Sequence, residues 1–266
     1  MLIDAQQLEA LADVVVFDCR FVLTDPAAGR LAYQAGHIPG AHYLDLNNDL
    51  SATAGKHGGR HPLPEPADFA ATLARFGVDV DTDVVVYDDS RLAFASRLWW
   101  MMRALGYRAP RVLNGGLAAW LAGGGELQTE SPAAQSCEPP QVQSYGKQVD
   151  IEGLRQAQMA GALLVDSREA ARYQGLEEPI DPVAGHIPGA INRPWQGVTE
   201  TDGRLQSTDA LRDHWGDALE AEQLVVYCGS GVTACVNLFS LALLGRDDAS
   251  LYGGSWSDWC SYLQPD

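Results

Sequence analysis

The hexapeptide GHIPGA occurs twice in this chain, at residues 36–41 and at residues 185–190. Three further blocks recur in the same order around it. The pairs are VVVFDCR (14–20) with LLVDSRE (163–169), VVVYDDSRLAFASRLWW (84–100) with LVVYCGSGVTACVNLFS (224–240), and NGGLAAW (114–120) with GGSWSDW (253–259). Blocks repeated in one order indicate an internal duplication, so we predict two domains of the same fold.

Each half of the chain alternates between short apolar runs and helical patterns. The runs VVVFD, VVVY, LLVD and LVVY are continuous and apolar, as in strands that are buried on both faces. Helical stretches separate these runs, which predicts an α/β fold with a mostly parallel sheet flanked by helices in each domain. The stretch between the halves is rich in Gly, Pro, Ser and Gln. We therefore predict domains at residues 1–123 and 147–266, joined by a linker at 124–146.

The composition argues against several classes of function. Lys and Arg number 18 and Asp and Glu number 35, a formal net charge of −17, which repels nucleic-acid phosphates and anionic lipid. The N-terminal residues show no targeting pattern, and no segment has the length and apolar character of a membrane span. The five cysteines are widely spaced and odd in number, as is typical of reduced thiols. We predict a cytoplasmic protein that binds neither nucleic acid nor membranes.

The chemistry of the chain is concentrated in YCGSGVTA, residues 227–234. A strand ends at Tyr227, Cys228 follows, and a Gly-rich turn leads into a helix. Gly229 and Gly231 allow backbone N–H groups to converge on one point, which also faces the positive end of the helix. This setting favours the thiolate, the reactive form of cysteine. An inert core cysteine is the common alternative, but a position at the carboxyl end of a strand favours reactivity.

Three other interpretations of this loop fail on spacing. The loop matches the dinucleotide pattern G-x-G-x-x-A, but too few residues follow it for a dinucleotide-binding domain. A cysteine phosphatase needs Arg at the position where this chain has Ala234. A metal site needs closely spaced ligands, whereas Cys228 and Cys235 are seven residues apart and His61 lies in a Gly-rich loop. We therefore expect neither a metal nor an organic cofactor.

These motifs resemble those of the rhodanese-type sulfurtransferases. GHIPGA, the strand–Cys–Gly-rich loop–helix segment and GGSWSDW all fit, and the resemblance covers nearly the whole chain. It implies two tandem rhodanese-like domains, of which the second is catalytic. It also implies that Cys228 takes sulfur from a small anionic donor, carries it as a persulfide, and passes it to a thiol, to thioredoxin or to cyanide.

Two donors remain open within this family. Thiosulfate enzymes typically carry Arg and Lys after the cysteine, whereas 3-mercaptopyruvate enzymes typically read CGSGVT, as this chain does from Cys228 to Thr233. Gly229, Gly231, Val232 and Thr233 are then expected to bind the persulfide through their amides, without a loop cation. We therefore expect 3-mercaptopyruvate, with thiosulfate as the alternative. A non-enzymatic binding or sensing module on the same fold is the second alternative.

The resemblance also implies a serine and a histidine beside the cysteine. Ser230 matches the serine of a Ser-His-Asp relay, and His61 in GGRHPLP matches its histidine, contributed by the first domain. The relay aspartate aligns with Asn47, and the nearest carboxylate is Asp45. The sequence therefore predicts the first two members of the relay but not a complete one.

A cation is expected to bind the donor's carboxylate from outside the loop. Arg172 matches the arginine that has this role in the mercaptopyruvate enzymes, and a guanidinium binds a carboxylate through two parallel hydrogen bonds. The family's second arginine would fall near Ile180, where this chain has none. We expect Arg193, just after the second GHIPGA, to compensate.

The first domain lacks the reactive cysteine. Its loop reads YDDSRLA, in which Asp88 replaces Cys228, and Asp89 and Arg91 replace the two glycines. A carboxylate cannot carry sulfur, and without glycines the amides are not expected to converge. We therefore predict an inactive, structural first domain.

Overall fold

The structure, a computed structural model, describes residues 1–263, which form two compact units. The first unit comprises residues 1–52, 63–146 and 201–205, and the second comprises residues 53–62, 147–200 and the chain from 206 onward. Residues 53–62 thus pack with the second unit although they lie in the first half of the sequence. The limits 1–123 and 147–266 stay a prediction.

The first unit is built on a five-stranded parallel sheet with the strand order β1-β5-β4-β2-β3. Its strands are β1 (Leu2–Ile3), β2 (Val15–Asp18), β3 (Ala41–Tyr43), β4 (Val84–Tyr87) and β5 (Arg111–Leu113). Its helices are α1 (Ala5–Glu9), α2 (Ala28–Ala35), α3 (Pro66–Ala74), α4 (Ala95–Ala104) and α5 (Gly116–Ala122). The apolar run VVVY forms β4, whose four residues are all buried, as expected of a strand covered on both faces.

The second unit repeats this sheet with the order β6-β10-β9-β7-β8, again parallel throughout. Its strands are β6 (Gln148–Val149), β7 (Leu163–Asp166), β8 (Ile191–Asn192), β9 (Leu224–Tyr227) and β10 (Ser250–Tyr252). Its helices are α6 (Ile151–Met159), α7 (Ala170–Tyr173), α8 (Thr208–Trp215), α9 (Ala234–Leu243) and α10 (Ser255–Ser261), with 3₁₀ turns at Trp195–Val198 and Gly216–Glu220. The predicted α/β architecture with two tandem domains is confirmed. Within residues 1–263, no helix is both long and apolar enough to cross a membrane.

The repeated motifs meet at the end of the central strand in each unit. In the second unit, the buried Arg168 binds Asp166 at 2.7 Å and donates to the carbonyl of Gly185 at 2.6 Å. The amide of Ile187 donates to the hydroxyl of Tyr227 at 3.1 Å. The first unit has the corresponding contacts among Asp18, Arg20, Gly36, Ile38 and Tyr87. GHIPGA therefore fixes the end of the strand that precedes residue 88 in one unit and Cys228 in the other.

Helix α9 anchors the other end of the cysteine loop. Every residue from Ala234 to Ala242 is buried, which explains why this stretch is apolar all round rather than along one stripe. Strand β9 is likewise buried at each of its four positions. The loop at 228–233 is thus held between two buried elements, which limits its freedom to move.

Candidate active site

Cys228 lies at the carboxyl end of β9, which pairs with β7 on one side and β10 on the other. The residue is only 1% exposed. Its amide donates to the hydroxyl of Ser255 at 3.1 Å, and its carbonyl accepts from the amide of Trp256 at 3.0 Å. The block GGSWSDW therefore holds the backbone of the cysteine from the start of α10. Gly231 has φ +77°, a left-handed conformation that turns the loop back toward α9.

The predicted pair of Ser230 and His61 is brought together in the second unit. The two residues are buried, and Nδ1 of His61 lies 2.8 Å from the hydroxyl oxygen of Ser230. His61 reaches this place because the segment 53–62 packs on α10: the amide of Gly58 donates to Asp258 at 2.7 Å. Ser230 is two residues beyond Cys228, and a hydroxyl that is hydrogen-bonded to an imidazole can transfer a proton to or from a reacting group.

The residues considered for the third relay position lie in the first unit. Oδ1 of Asp45 accepts hydrogen bonds from the amides of Asn47 at 2.9 Å and Asn48 at 3.0 Å. This carboxylate therefore caps its own turn. The third member of the relay stays a prediction.

Two guanidinium groups lie beside the loop, and only one of them was predicted. A Cβ added at Gly229 would lie 3.1 Å from Nη2 of Arg60 and 3.5 Å from Nη1 of Arg172. A side chain at Gly229 would therefore crowd the guanidinium of Arg60, while that of Arg172 would lie at ordinary contact distance. The loop has no cation of its own, but cationic side chains stand next to it. The sequence analysis missed Arg60, which is separated from the loop by more than 160 residues of sequence.

The arginines are balanced by two buried carboxylates. Arg172 donates through Nη2 to Glu178 at 2.7 Å and to Asp181 at 3.1 Å. Arg60 forms an ion pair with the other oxygen of Asp181, so this carboxylate bridges the two guanidiniums. Glu178 also binds Arg168 at 3.0 Å, which links the arginines to the buried Arg168–Asp166 pair at the end of β7. A paired network of this kind keeps buried charges satisfied.

The remaining predicted residues have structural contacts. The guanidinium of Arg193 donates to the carbonyl oxygens of Asn192 at 3.0 Å and Trp215 at 3.3 Å. Val232 is buried, and Thr233 directly precedes α9. The role of Arg193 in donor binding, and that of Val232 and Thr233 in holding the persulfide, stay predictions.

The other cysteines have settings that differ from that of Cys228. The five cysteines all lie in the described part of the chain and none forms a disulfide, and Cys137 is exposed. Burial raises the pKa of the Cys19 thiol well above its usual value, and nearby carboxylates act in the same direction. Burial also raises the pKa of the Cys260 thiol. Thiols of this kind stay protonated and react slowly at neutral pH.

The loop of the first unit contradicts the expectation that its amides do not converge. Asp88 accepts four backbone hydrogen bonds, and the donors are the amides of Ser90 (2.8 Å), Leu92 (3.0 Å), Phe94 (2.9 Å) and Ala95 (2.9 Å). Arg91 and Leu92 adopt φ angles of +58° and +69°, so Arg91 has the left-handed conformation that Gly231 has in the second loop. The prediction was wrong because it treated glycine as a requirement for this backbone. Here the first unit retains an anion nest and fills it with its own carboxylate.

Burial nevertheless dominates the titration of Asp88. It raises the pKa of this carboxyl above its ordinary value, although the amides of Ala95, Ser90 and Phe94 act in the opposite direction. A cavity of about 220 Å³ lies within the first unit, and Asp88, Asp89, Arg91 and Gly116 are among its lining residues.

Comparison with known proteins places these observations in a family. The rhodanese-like domain family matches residues 4–123 and residues 150–262. The chain belongs to this family. A Pseudomonas aeruginosa protein provisionally named a 3-mercaptopyruvate sulfurtransferase is 45% identical over 268 residues, which cover 97% of this chain and 94% of the relative. A Mycobacterium tuberculosis protein provisionally named a thiosulfate sulfurtransferase is 41% identical and covers 97% of this chain and 91% of its own length.

A solved rhodanese-family structure agrees. The 3-mercaptopyruvate sulfurtransferase from Leishmania major superposes with a TM-score of 0.88 at 30% identity, over 100% of this chain and 75% of that one. The predicted family and the predicted enzyme class, sulfurtransferase, are confirmed, which disfavours a non-enzymatic module. The donors in the names of these relatives differ.

Proposed function

We propose that this rhodanese-family enzyme takes sulfur from 3-mercaptopyruvate and carries it as a persulfide on Cys228. The observation that carries the proposal is the position of this cysteine. It opens a Gly-rich loop that has a Ser230–His61 hydrogen bond on it and two guanidiniums beside Gly229. A nucleophile, a proton-transfer pair and an anion-binding group are the parts that this reaction needs.

The first half-reaction moves one sulfur atom. The Cys228 thiolate attacks the donor sulfur, a sulfur–sulfur bond forms, and the carbon–sulfur bond of the donor breaks. The electron pair of that bond leaves with the pyruvate enolate, which takes up a proton to give pyruvate. Ser230, hydrogen-bonded to His61 at 2.8 Å, is the group we assign to this proton transfer.

The first unit supports an assignment for the groups that hold the persulfide. Asp88 corresponds to Cys228 in the duplication, and the amides that bind its carboxylate belong to Ser90, Leu92, Phe94 and Ala95. The positions that correspond to the first three of these in the second loop are Ser230, Val232 and Ala234. We infer that their amides bind the outer, negatively charged sulfur of the persulfide.

In the second half-reaction an acceptor nucleophile, a thiolate or cyanide, attacks the outer sulfur. The sulfur–sulfur bond to Cys228 breaks, a thiol acceptor leaves as a persulfide and cyanide leaves as thiocyanate, and the Cys228 thiolate is restored. A small thiol, thioredoxin or cyanide can accept sulfur in this way, and the step needs no cofactor. We propose a cytoplasmic location because the thiolate must stay reduced between turnovers.

Thiosulfate is the second candidate donor, and one observation favours it. Arg60 and Arg172 both face Gly229, so the site supplies two cations although the loop supplies none. A doubly charged donor could bind them. The name of the Mycobacterium tuberculosis relative points the same way. The CGSGVT loop and the name of the Pseudomonas aeruginosa relative favour mercaptopyruvate.

A comparison of the two donors tests the proposal. We expect a higher kcat/KM for 3-mercaptopyruvate than for thiosulfate, and intact-protein mass spectrometry should show one added sulfur atom that cyanide or dithiothreitol removes. Cys228→Ser should carry no sulfur, because an alcohol cannot form a persulfide. A higher kcat/KM for thiosulfate would contradict the donor assignment, and an unchanged adduct on Cys228→Ser would contradict the persulfide mechanism.

A further inference from the structure

A second arginine shares the donor side of the loop with Arg172. Nη2 of Arg60 would lie 3.1 Å from a Cβ at Gly229, nearer than either terminal nitrogen of Arg172, which would lie at 3.5 and 3.6 Å. Arg60 comes from the KHGGRH loop, whereas Arg172 belongs to α7. Two elements far apart in sequence therefore direct guanidiniums at the residue next to the nucleophile.

The hydrogen bonds of the two arginines leave one terminal nitrogen of each facing the loop. Arg60 uses Nη1 to bind Asp181, and Arg172 uses Nε and Nη2 to bind Glu178 and Asp181. Among the contacts of residues 1–263, Nη2 of Arg60 and Nη1 of Arg172 have no hydrogen-bond acceptor. These are also the nitrogens nearest Gly229. The side chain of Asp181 is 2% exposed. By binding both guanidiniums it holds Arg60 and Arg172 side by side, with one terminal nitrogen of each directed toward Gly229.

The segment that carries Arg60 is firmly seated on α10. The amide of Arg60 donates to the hydroxyl of Ser257 at 3.1 Å. Gly59 has φ +83°, and any side chain there would collide with the carbonyl of Gly254. Such close backbone contact positions the guanidinium more accurately than a free surface loop could.

The electrostatics show that Arg60 stands in the field of the reactive sulfur. Burial lowers the pKa of Arg60, and the neighbouring Arg172 guanidinium acts in the same direction, while negative charge on Cys228 opposes them. Two guanidiniums that repel each other beside a half-buried site gain from a shared anion.

We propose that Arg60 is a specificity-determining residue that binds the donor's carboxylate together with Arg172, and that Asp181 is the positioning residue that holds the two forks side by side. A carboxylate has two oxygens, and each fork offers one N–H group to it. Arg60 therefore takes the role of the family's second arginine, which this chain lacks near Ile180, in place of Arg193. This assignment rests on the proposed function, because it requires a donor with a carboxylate.

Steady-state kinetics with Arg60→Gln and Arg60→Lys test the assignment. Loss of one charge-assisted partner should raise KM for 3-mercaptopyruvate roughly ten- to hundredfold in Arg60→Gln, with a change in kcat of less than about threefold. Arg60→Lys keeps the charge but not the fork, so its KM should fall between those of the wild type and Arg60→Gln. Arg155→Gln is the matched control, since this arginine is exposed on α6 and pairs with Glu152.

A binding measurement separates this proposal from the proposed function. Calorimetry measures the Kd of 3-mercaptopyruvate for the Cys228→Ser variant, with and without Arg60→Gln. Because this variant cannot turn over the donor, a change in Kd reflects the contact with the donor's carboxylate. We expect the Kd to rise by the same factor as KM. An unchanged KM and Kd would overturn the assignment of Arg60. A fall in kcat at constant KM would also overturn it, because it would show that Arg60 acts through its neighbour His61. A wild type that turns over thiosulfate and does not bind mercaptopyruvate would overturn the proposed function itself, and this is visible before any Arg60 variant is made.

Discussion

The filled nest of the first unit predicts that Asp88→Cys, made in a Cys228→Ser background, creates a thiol that accepts sulfur. The carboxylate of Asp88 accepts four amide hydrogen bonds from the loop, and Asp88 is one of the residues that line a cavity of about 220 Å³. A persulfide on a cysteine at this position would place its outer sulfur near the place of the carboxylate oxygens, because both lie two bonds beyond Cβ. The amides that now bind oxygen would then bind sulfur.

The size of the effect follows from the hydrogen bonds that the carboxylate makes. Each buried amide that loses its acceptor costs about 1–3 kcal/mol. Burial raises the pKa of Asp88, so removing this carboxyl also removes a desolvation cost. That gain offsets part of the free energy lost when the four amides lose their acceptor. We expect the unloaded variant to lose about 2–4 kcal/mol in the free energy of unfolding, and sulfur loading to restore about 1.5–3 kcal/mol, the contribution of one charge-assisted hydrogen bond.

Inorganic polysulfide is the donor for this assay, because it needs no carboxylate clamp. Peptide mapping by mass spectrometry should find one added sulfur atom on the introduced thiol, removable by dithiothreitol, and thermal unfolding should shift upward on loading. Asp89→Cys in the same background is the control, since Asp89 is exposed and lines the same cavity but accepts no amide bonds of this nest. Equal sulfur retention by the two thiols, or none at position 88, would refute the reasoning.

Two further predictions concern the cysteines of the chain and their surroundings. Ser255→Ala removes the acceptor of the Cys228 amide, so it should lower kcat and should lower the free energy of unfolding, measured by denaturant titration, by about 1 kcal/mol. An unchanged kcat would show that this hydrogen bond does not position the nucleophile. Because burial raises the pKa of the Cys19 and Cys260 thiols, their alkylation by iodoacetamide should become appreciable only at alkaline pH. Alkylation at neutral pH as fast as that of the exposed Cys137 would contradict the burial argument.

The sequence predicted those features that are local or repeated. The duplication of GHIPGA indicated two copies of one sheet, and both sheets have the same parallel strand order. Cys228 was singled out because the strand, the Gly-rich turn and the helix are consecutive in the chain, whereas Ser230 was assigned from the family resemblance, and the catalytic roles of both stay predictions. Periodicity and turn chemistry act over a few residues, so they are sufficient for elements of this kind.

Arg60 could not be found in this way, because its partner is distant in sequence. It meets Asp181, which is 121 residues away, and it faces Gly229 on yet another segment. No periodic pattern reports such a pairing. The available signal was the pair of glycines at 58 and 59, both of which have positive φ angles, at +97° and +83°. Consecutive glycines before a cation indicate a backbone that packs closely against another element.

The comparison of the two loops explains why glycine is needed in one and not in the other. A non-glycine residue in the left-handed region costs roughly 1–2 kcal/mol, and the first loop has two of them, Arg91 and Leu92. The side chain of Asp88 is a permanent part of the chain, so the amide hydrogen bonds that it accepts oppose that strain at all times. In the proposed mechanism the outer sulfur of Cys228 comes and goes with each turnover, so the second loop must keep the same shape without a permanent acceptor. Gly231 adopts the left-handed conformation at no such cost. In this mechanism Gly231 preserves the shape of the loop between turnovers, whereas in the first loop the hydrogen bonds to Asp88 stabilise the same backbone without glycine.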